Sequence, residues 1–517
     1  MKRHLLGLGL LLGGSALTAC EKFLDVNDNP NNPVVSTPNF LLPGIIANGI
    51  QTQMFTALRT PYLTQYVVSR TANAGIDQFL LTNANSTNTF NYSYFYSGGN
   101  VPGMTKAAQE EGSPYYVGAG KIMQALILAH ATDMLGDIPY SEAYQGGANF
   151  TPKYDPQEQI YGVINQLCDE GAVEMAKPAS AEFRPFYSIN PSESGDILYK
   201  GDPLKWLRLS YALKARQAQH LIKKTSYNPA AVLALCDKAF TSSADDAQLN
   251  YQVAVAPLSN TTSVFGVTRG NFGGATFSAN IVKYLNGTTF SGVVDPRFGV
   301  MTPTTSTGID PGFGTTGNFT PNSLPQVTDF YGGWYARELG YFEVITYHEL
   351  KFIEAEAAFR ANNLPRALAA LREGIRAHMR KIGGGGTYSQ PLVTFPFITE
   401  TQIATYLASA AVPQTEADLT LRAIMEQKYI AMFLNPESWS DMRRLDYSTS
   451  IYVNLAFPRF LGSTPPPSLA SGKYPRRLLP GATEVSVNPN AVAALFAEAG
   501  ATTNEDYITK PLWFDRP

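Results

Sequence analysis

Charged side chains are scarce in this sequence. Asp, Glu, Lys and Arg make up only 16% of the 517 residues, against roughly 25% in ordinary soluble proteins. The 39 basic and 42 acidic residues leave a formal net charge of −3, and no basic block occurs. Binding to nucleic acid depends on clustered Lys and Arg that neutralise phosphates, so we expect no nucleic-acid partner.

Cysteine is almost absent, with three residues in the whole chain. Cys168 and Cys236 both lie in helical patterns, on or near apolar faces. We expect two buried thiols, although sequence alone leaves a bond between them open. A fold stapled by several disulfides is excluded.

The common catalytic and metal-binding motifs are missing as well. His348-Glu349 begins an HExxH zinc pattern, but position 352 is Phe. Residues 118–121 (GAGK) lack the upstream Gly and the Ser/Thr of a phosphate loop, and no G-x-S-x-G sequence occurs. We therefore predict no catalytic residue, no metal site and no cofactor.

Long apolar runs are confined to the N-terminus. Lys2 and Arg3 precede an apolar segment, Leu5–Leu12, which is too short to span a bilayer. Small residues then stand directly before Cys20, as in a bacterial lipoprotein signal. We expect residues 1–19 to be cleaved, Cys20 to carry the lipid and residues 20–34 to form a tether. An ordinary secretory signal with an incidental cysteine is the alternative.

The clearest pattern elsewhere is a pair of helices between Val344 and Lys381. In the second, Leu364, Leu368, Leu371 and Ile375 recur at steps of four, three and four, which places them on one helix face. Small residues stand where antiparallel helices would approach closely, and the spacing resembles a tetratricopeptide (TPR) unit. One such pair cannot bury its own face, so we expect further helices to pack beside it.

Further helices are predicted after Asp155-Pro156, Asp202-Pro203 and Asn228-Pro229, because Asp and Asn cap helices and Pro is tolerated in the first turn. Two stretches, about 73–115 and 249–341, lose the helical period and are predicted to be loop-rich. The fold class that follows is mainly α: a TPR-like helical scaffold with a large irregular, ligand-binding lobe, forming a single domain over residues 35–517.

Several segments, taken in order, resemble the SusD/RagB family, specifically its SusD-like lipoproteins of Bacteroidota. The segments span nearly the whole chain after the signal: Phe23-Leu24-Asp25, Asn29–Pro33, Leu41–Gly44, Asp133–Tyr140, Tyr154–Tyr161, Gly201–Trp206, Asp295–Phe298, Glu354–Ala357, Glu426–Lys428 and Trp439–Arg444. The resemblance implies a TPR-based fold whose irregular lobe bears the ligand site.

The resemblance also implies a function and a partner. It describes a lipoprotein, lipid-anchored in the outer membrane at Cys20 and facing the cell exterior, that captures an oligosaccharide or peptide. The partner would be a SusC-like TonB-dependent transporter, which imports the captured nutrient. We accordingly expect a binding protein and not an enzyme.

Two aromatic stretches are the candidate ligand contacts, because ring faces stack on sugars and amides bind their hydroxyls. In the loop 330–335 (FYGGWY), a Gly pair would let Trp334 project, with Tyr335 and Tyr331 beside it. In the stretch 90–96 (FNYSYFY), Tyr94 and Tyr96 are the candidates; its alternative is a half-buried strand. We expect Trp334→Ala to weaken binding without lowering thermal stability.

Two other functions remain open at this stage. One is a cell-surface all-α glycoside hydrolase, which would shorten the glycans that it binds. The other is a TPR-like scaffold that assembles proteins and takes no small ligand, in which case the aromatic rings would be buried.

Overall fold

The computed structural model describes residues 36–178, 186, 191–252, 262–304, 306–314, 330–389, 392–460, 469 and 472–517. The predictions for residues 1–35, including the lipidated Cys20 and the tether, lie outside these residues. Pro38–Pro517 forms one compact unit.

Helices occupy most of the described chain. In chain order they are α1 Pro38–Thr56, α2 Thr60–Leu63, α3 Thr87–Asn91, α4 Val101–Glu110, α5 Pro114–Leu135, α6 Gln157–Met175, α7 Pro191–Ser194, α8 Pro203–His220, α9 Pro229–Cys236, α10 Ala279–Leu285, α11 Phe298–Met301, α12 Tyr347–Arg360, α13 Leu364–Ile382, α14 Glu400–Leu407, α15 Leu421–Ala431, α16 Glu437–Arg444, α17 Ala482–Val487, α18 Pro489–Glu498 and α19 Asn504–Thr509. Within the described part of the chain, no helix combines the length and apolarity needed to cross a membrane.

Strands are short, and among the described residues they form only two-stranded antiparallel sheets. The pairs are β1 Val67–Ser69 with β3 Ala275–Phe277, β2 Ala247–Asn250 with β4 Tyr341–Ile345, and β5 Gly384–Ser389 with β6 Leu392–Phe397. In the first pair Val68 lies opposite Thr276. This pair holds the 262–314 region beside α1 and α2, which is where the candidate site forms.

The predicted TPR-like pair is confirmed as α12 and α13. Asn363 caps α13 by accepting a hydrogen bond from the Arg366 amide at 3.3 Å, and Pro365 lies in the first turn. A Cβ at Gly374 would lie only 3.1 Å from the Phe352 ring, so the small residue allows the two helices to pack closely.

The predicted caps at Asp202 and Asn228 are confirmed, but Asp155 does not cap α6. Its carboxylate instead accepts the backbone amides of Tyr140 and Ser141, at 2.9 and 2.7 Å. It therefore fixes the turn before the helix, while Asp137 accepts the Gln157 amide at the helix start, at 2.7 Å.

The stretches predicted to be loop-rich contain more helix than expected. Helices α3 and α4 lie within 73–115, and α10 and α11 lie within 249–341. Three further short helices, α17 to α19, lie near the C-terminus, and the Gly383–Gly386 run leads into the β5–β6 hairpin. These elements are short, so tertiary packing and not a long periodic pattern determines them.

The chain buries many of its few charges. Glu356 accepts two hydrogen bonds from the Arg444 guanidinium, at 2.6 and 2.7 Å, and Arg444 also pairs with Asp441 at 2.6 Å. Burial alone would raise the pKa of Glu356, but Arg444 and Arg360 lower it to about 2. Arg444 therefore pairs with two carboxylates of the scaffold.

The neighbouring Arg443 is held differently. It donates to backbone carbonyls, including those of Asp133 at 2.5 Å and Arg476 at 3.0 Å, and its guanidinium lies over the Trp439 ring. Trp439 and Trp206 are buried in the core. The thiols of Cys168 and Cys236 are also buried, as expected, and they are not bonded to each other.

His220 lies between two buried carboxylates, Glu437 and Asp133. Burial disfavours its charged form, but these carboxylates outweigh burial and raise the pKa of His220 to about 9. The ion pair therefore stabilises the fold fully below the unfolded pKa of about 6.5, and this contribution is lost as the pH rises through 9.

We expect His220→Gln to lower the free energy of unfolding most at pH 6 and progressively less towards pH 10. Urea unfolding of the two proteins across this range measures the difference. His130→Gln is the matched control, because burial lowers the pKa of His130 to about 4, so that this imidazole is neutral in the folded state throughout. A difference for His220→Gln that stays constant with pH would contradict the assignment.

Candidate ligand-binding site

The aromatic stretch 90–96 forms helix, not strand. Phe90 lies in α3, and the chain continues from Tyr92 to Ser97 as one π-helical turn. Residues two apart in a helix point in very different directions, so Tyr94 and Tyr96 separate. The Tyr94 hydroxyl donates to the Pro139 carbonyl at 2.8 Å, within the protein, whereas Tyr96 is 45% exposed.

The π turn depends on a close backbone approach at Gly98. A Cβ at Gly98 would lie 2.1 Å from the Ser93 carbonyl oxygen and 2.9 Å from the Tyr144 hydroxyl. Only glycine fits this turn without a shift of the backbone. Such turns are rare, and they occur frequently at functional sites.

The turn places Tyr92 and Tyr96 against the end of α1. Their ring centroids are 4.7 Å apart, and the Tyr92 ring lies 5.1 Å from that of Phe55. Tyr62 lies in α2, beyond the turn that ends α1, and its ring lies 6.1 Å from that of Phe272. We call Phe55, Tyr62, Tyr92 and Tyr96 the aromatic strip; all four are partly exposed.

Amide side chains fix the exposed end of the strip. Asn48 and Asn100 each donate to the backbone carbonyl of Tyr96, at 3.2 and 3.1 Å. Phe95, which is 76% exposed, packs edge-on against Tyr96 with a centroid distance of 5.0 Å. Ring faces and carboxamides thus occur together at this end.

The loop that carries Trp334 does not project this side chain. Trp334 is 5% exposed, and the Arg337 guanidinium stacks 3.4 Å from the centroid of its ring. A Cβ at Gly333 would lie 2.5 Å from the Met301 carbonyl oxygen, so this glycine permits close packing and not protrusion. A direct contact between Trp334 and a ligand stays a prediction, and little of its ring surface is open to one.

The neighbours of Trp334 differ in position. The Tyr335 hydroxyl lies 2.9 Å from His378 Nε2, and its ring packs edge-on against Phe433, so Tyr335 supports the core. Tyr331 is partly exposed and interacts electrostatically with Tyr62. Of the predicted contacts, the structure thus brings Tyr96 into the strip and Tyr331 to its edge, and it places Tyr94, Trp334 and Tyr335 behind them.

Two arginines border the strip. Arg59 stands directly before α2 and interacts electrostatically with Tyr62, and Arg269 interacts electrostatically with Tyr92. Burial lowers the pKa of both arginines.

The carboxylates that interact electrostatically with residues of the strip or with these arginines are buried. Asp77, near Tyr62, accepts the Ser69 amide at 2.7 Å, and Glu338, near Arg269, accepts the Thr268 amide at 2.6 Å. Burial raises the pKa of Asp77 to about 7. Because backbone amides hold both carboxylates inside the protein, neither flanks a bound sugar as the acid or base of a glycosidase must.

The family assignment follows from the sequence as a whole. A family model described as "Starch-binding associating with outer membrane" matches residues 30–455. The chain belongs to the SusD-like family. No curated protein sequence gives a significant match.

Solved SusD-like structures share the fold over nearly its whole length. A SusD/RagB family protein from Bacteroides thetaiotaomicron is 23% identical, with a TM-score of 0.67 over 93% of this chain and 99% of the other. A SusD homolog from Bacteroides fragilis is 20% identical, with a TM-score of 0.69 over 93% and 99%. A chitin-binding SusD homolog from Flavobacterium johnsoniae is 19% identical, with a TM-score of 0.65 over 92% and 98%. The mainly α, TPR-like fold class is therefore confirmed.

Sequence reasoning missed several residues of this SusD-like site: Phe55, Arg59, Tyr62, Tyr92 and Arg269. Phe55, Arg59 and Tyr62 follow one another at steps of four and three, but a turn separates α1 from α2, so this spacing does not place them on one helix face. Arg269 carries no signal either, since it reaches the strip only through the folding of a distant loop.

One buried cluster of the SusD-like protein has ligand types that suit a metal ion: Asp133, His220 and Glu437. Its groups are already engaged. The Asp133 oxygens accept hydrogen bonds from Tyr161 at 2.6 Å and Gln217 at 2.8 Å, and Glu437 binds His220. The cluster therefore acts as an ion pair that ties α5, α8 and α16 together.

Proposed function

We propose that this chain captures a glycan at the cell surface and passes it to a SusC-like TonB-dependent transporter in the outer membrane. The aromatic strip is the observation that carries the proposal. Its partly exposed rings, with centroids 4.7 and 5.1 Å apart, offer stacking surfaces to the C–H faces of successive sugars. The amides of Asn48 and Asn100 are suited to hydroxyl groups at its end.

The comparisons support a glycan over other nutrients. The family description refers to starch binding and the outer membrane, and two solved relatives are named as chitin-binding. The lipid at Cys20, the outward orientation and the transporter partner belong to the proposal together, because an anchored capture protein needs an importer beside it. Affinity-purification of the full chain from outer membranes, followed by identification of a co-purifying barrel, tests the partner.

The proposal describes binding without chemistry. Glycan hydrolysis needs two carboxylates beside the scissile bond, and those near the strip, Asp77 and Glu338, are buried and held by amides. Incubation of the full chain with the glycan that it binds, followed by chromatography of the products, should return the glycan at unchanged length. Shortened products would make the hydrolase the better description.

We expect Tyr96→Ala to weaken glycan binding about tenfold, because it removes one stacking face. The melting temperature should stay within about one degree, since a side chain that is 45% exposed contributes little to the core. Calorimetric titration of the full chain with N-acetylglucosamine and glucose oligomers measures the affinity, and differential scanning calorimetry measures the stability.

Phe397→Ala is the matched control, because this ring is 67% exposed but lies on the β5–β6 hairpin. It should leave the affinity unchanged. Equal affinities for the wild type and Tyr96→Ala would remove the strip from the binding site. Absence of binding to every glycan, together with a stable protein partner, would favour the assembly scaffold.

A further inference from the structure

A cavity separate from the aromatic strip lies beside the segment 510–516. Its volume is about 360 Å³, which is within the range of small-molecule sites in proteins. Its walls come from the residues that follow α5, the start of α6, the end of α18 and the segment 510–516. None of the residues that line it belongs to the strip.

Hydrogen bonds hold the walls of this cavity in place. The Gln157 side chain, at the start of α6, accepts the Phe514 amide at 3.2 Å. Arg477 donates to the carbonyls of Lys510 and Pro511, at 3.1 and 2.7 Å. The cavity is therefore formed before a ligand enters, and binding there requires little ordering of the protein.

An indole lines the cavity. Trp513 is partly exposed, whereas the other three tryptophans of the chain are buried. Its ring packs edge-on against Tyr161 with a centroid distance of 5.3 Å, and Lys224 Nζ lies 4.5 Å from its centroid. These neighbours fix the ring, and the part that lines the cavity offers apolar surface to the C–H groups of a ligand.

Charged side chains of both signs also line the cavity. There are three of each sign: Asp137, Glu158 and Glu498, and Arg477, Lys510 and Arg516. Because these charges balance, the lining favours no ligand with a net charge. The carboxylates accept hydrogen bonds and the cations donate them, so the lining suits a neutral ligand that can do both.

Three of these side chains are available to a ligand. Glu158, Glu498 and Arg516 are exposed, and within the described part of the chain none of them forms a hydrogen bond or an ion pair. A ligand can therefore bind to them without breaking an interaction inside the protein.

We propose that this cavity is a second saccharide-binding site, which takes a short neutral saccharide. A sugar ring has an apolar C–H face and hydroxyl groups that donate and accept hydrogen bonds. The cavity matches it with the indole of Trp513 and with carboxylates and cations around it. Because the site lies outside the strip, it goes beyond the proposed capture and does not depend on it.

Tryptophan fluorescence of the full chain tests the proposal, with maltose, lactose and the disaccharide of N-acetylglucosamine as probes. The strip contains no tryptophan and the other indoles are buried, so a change in emission reports on Trp513. We expect at least one of these neutral disaccharides to change the emission in a saturable manner. Calorimetric titration with the same disaccharide measures its affinity.

Two variants of Trp513 separate signal from binding. Trp513→Phe should abolish the emission change but keep most of the affinity, because a ring remains in the cavity. Trp513→Ala should weaken binding about tenfold, because it removes that apolar surface. An emission change that persists in Trp513→Phe would come from another indole and would contradict the proposal.

Glu498→Gln tests the polar part of the site. It keeps the shape of the side chain but removes a charged acceptor, and should weaken disaccharide binding about fivefold. Glu110→Gln is the matched control, because Glu110 lies on α4 with its side chain 67% exposed and does not line the cavity. Melting temperatures of all variants establish that each is folded.

The remaining outcomes separate this site from capture at the strip. Tyr96→Ala should leave the emission response unchanged, so a failure of the strip and a failure of the cavity are measured independently. Absence of an emission change with all three disaccharides would overturn the second site. A response to short peptides in place of saccharides would overturn the ligand class.

Discussion

Replacing Glu356 with alanine lowers the free energy of unfolding by about 3–5 kcal/mol, because it leaves the charge of Arg444 buried without its main partner. Arg444 is fully buried and donates two hydrogen bonds to this carboxylate, at 2.6 and 2.7 Å. Asp441 remains within 2.6 Å of the guanidinium but also pairs with Lys428, so it replaces only part of the lost interaction. Urea unfolding of both proteins at pH 7 measures the difference.

Glu400→Ala is the control for this experiment, because the side chains of Glu400 and Arg380, which form an ion pair, are 66% and 53% exposed. Exposed pairs of this kind contribute little, so the control should unfold at nearly the wild-type urea concentration. A Glu356→Ala protein as stable as the wild type would mean that water or Asp441 satisfies Arg444, and that the buried pair adds nothing to stability.

Trp334→Ala should also lower the free energy of unfolding by about 3–5 kcal/mol, as deletion of a buried aromatic side chain does. The Arg337 guanidinium stacks on the ring. The ring also packs edge-on against Tyr335 and Tyr341, with centroid distances of 5.0 and 5.6 Å. This expectation replaces the one drawn from sequence, in which the same substitution left stability unchanged.

Comparison of Trp334→Ala with Tyr96→Ala distinguishes support from contact. We expect the tryptophan variant to melt at a lower temperature and, where still folded, to bind glycan with nearly normal affinity. We expect the tyrosine variant to melt near the wild-type temperature and to bind glycan more weakly. Calorimetric titration and scanning calorimetry of both proteins provide the two readouts, and a Trp334 variant with normal melting but no binding would restore Trp334 as a ligand contact.

The scaffold could be predicted from sequence because its signals are local. Leu368, Leu371 and Ile375 mark one face of α13 by spacing alone, and Asp202 and Asn228 mark helix starts by cap chemistry. The lengths of α5, α6 and α8 leave room for many periods of the pattern. Short helices such as α11 and α17 offer no more than two turns, so no period can be read from them.

The site could be predicted only in part, because it is assembled from distant segments. Phe55 comes from α1 and Arg59 from the turn before α2. Tyr92 and Tyr96 come from the π turn, and Arg269 comes from a loop much later in the chain. Sequence identified the aromatic stretch and left a half-buried strand as the alternative, in which Tyr94 and Tyr96 would share a face. The helical geometry turns one inward and the other outward.

The Gly pair before Trp334 led to the prediction of a projecting side chain for a related reason. Glycine permits an exposed loop, but it also permits two backbones to touch, and a single sequence does not distinguish these uses. Here the packing of Met301 against Gly333 decides for close contact. Buried guanidinium groups were equally invisible in the sequence, since a pattern of residues does not reveal which charges lack a partner.

The composition of the aromatic strip has a spectroscopic consequence. Its rings are tyrosine and phenylalanine, whereas Trp206, Trp334 and Trp439 are buried in the core and Trp513 lies in the C-terminal segment against Lys224. A ligand that stacks on the strip touches no indole, so tryptophan emission should change little on binding even when the sites are saturated. Tyr96→Trp would place an emitting ring at the exposed end of the strip and turn capture into an optical signal.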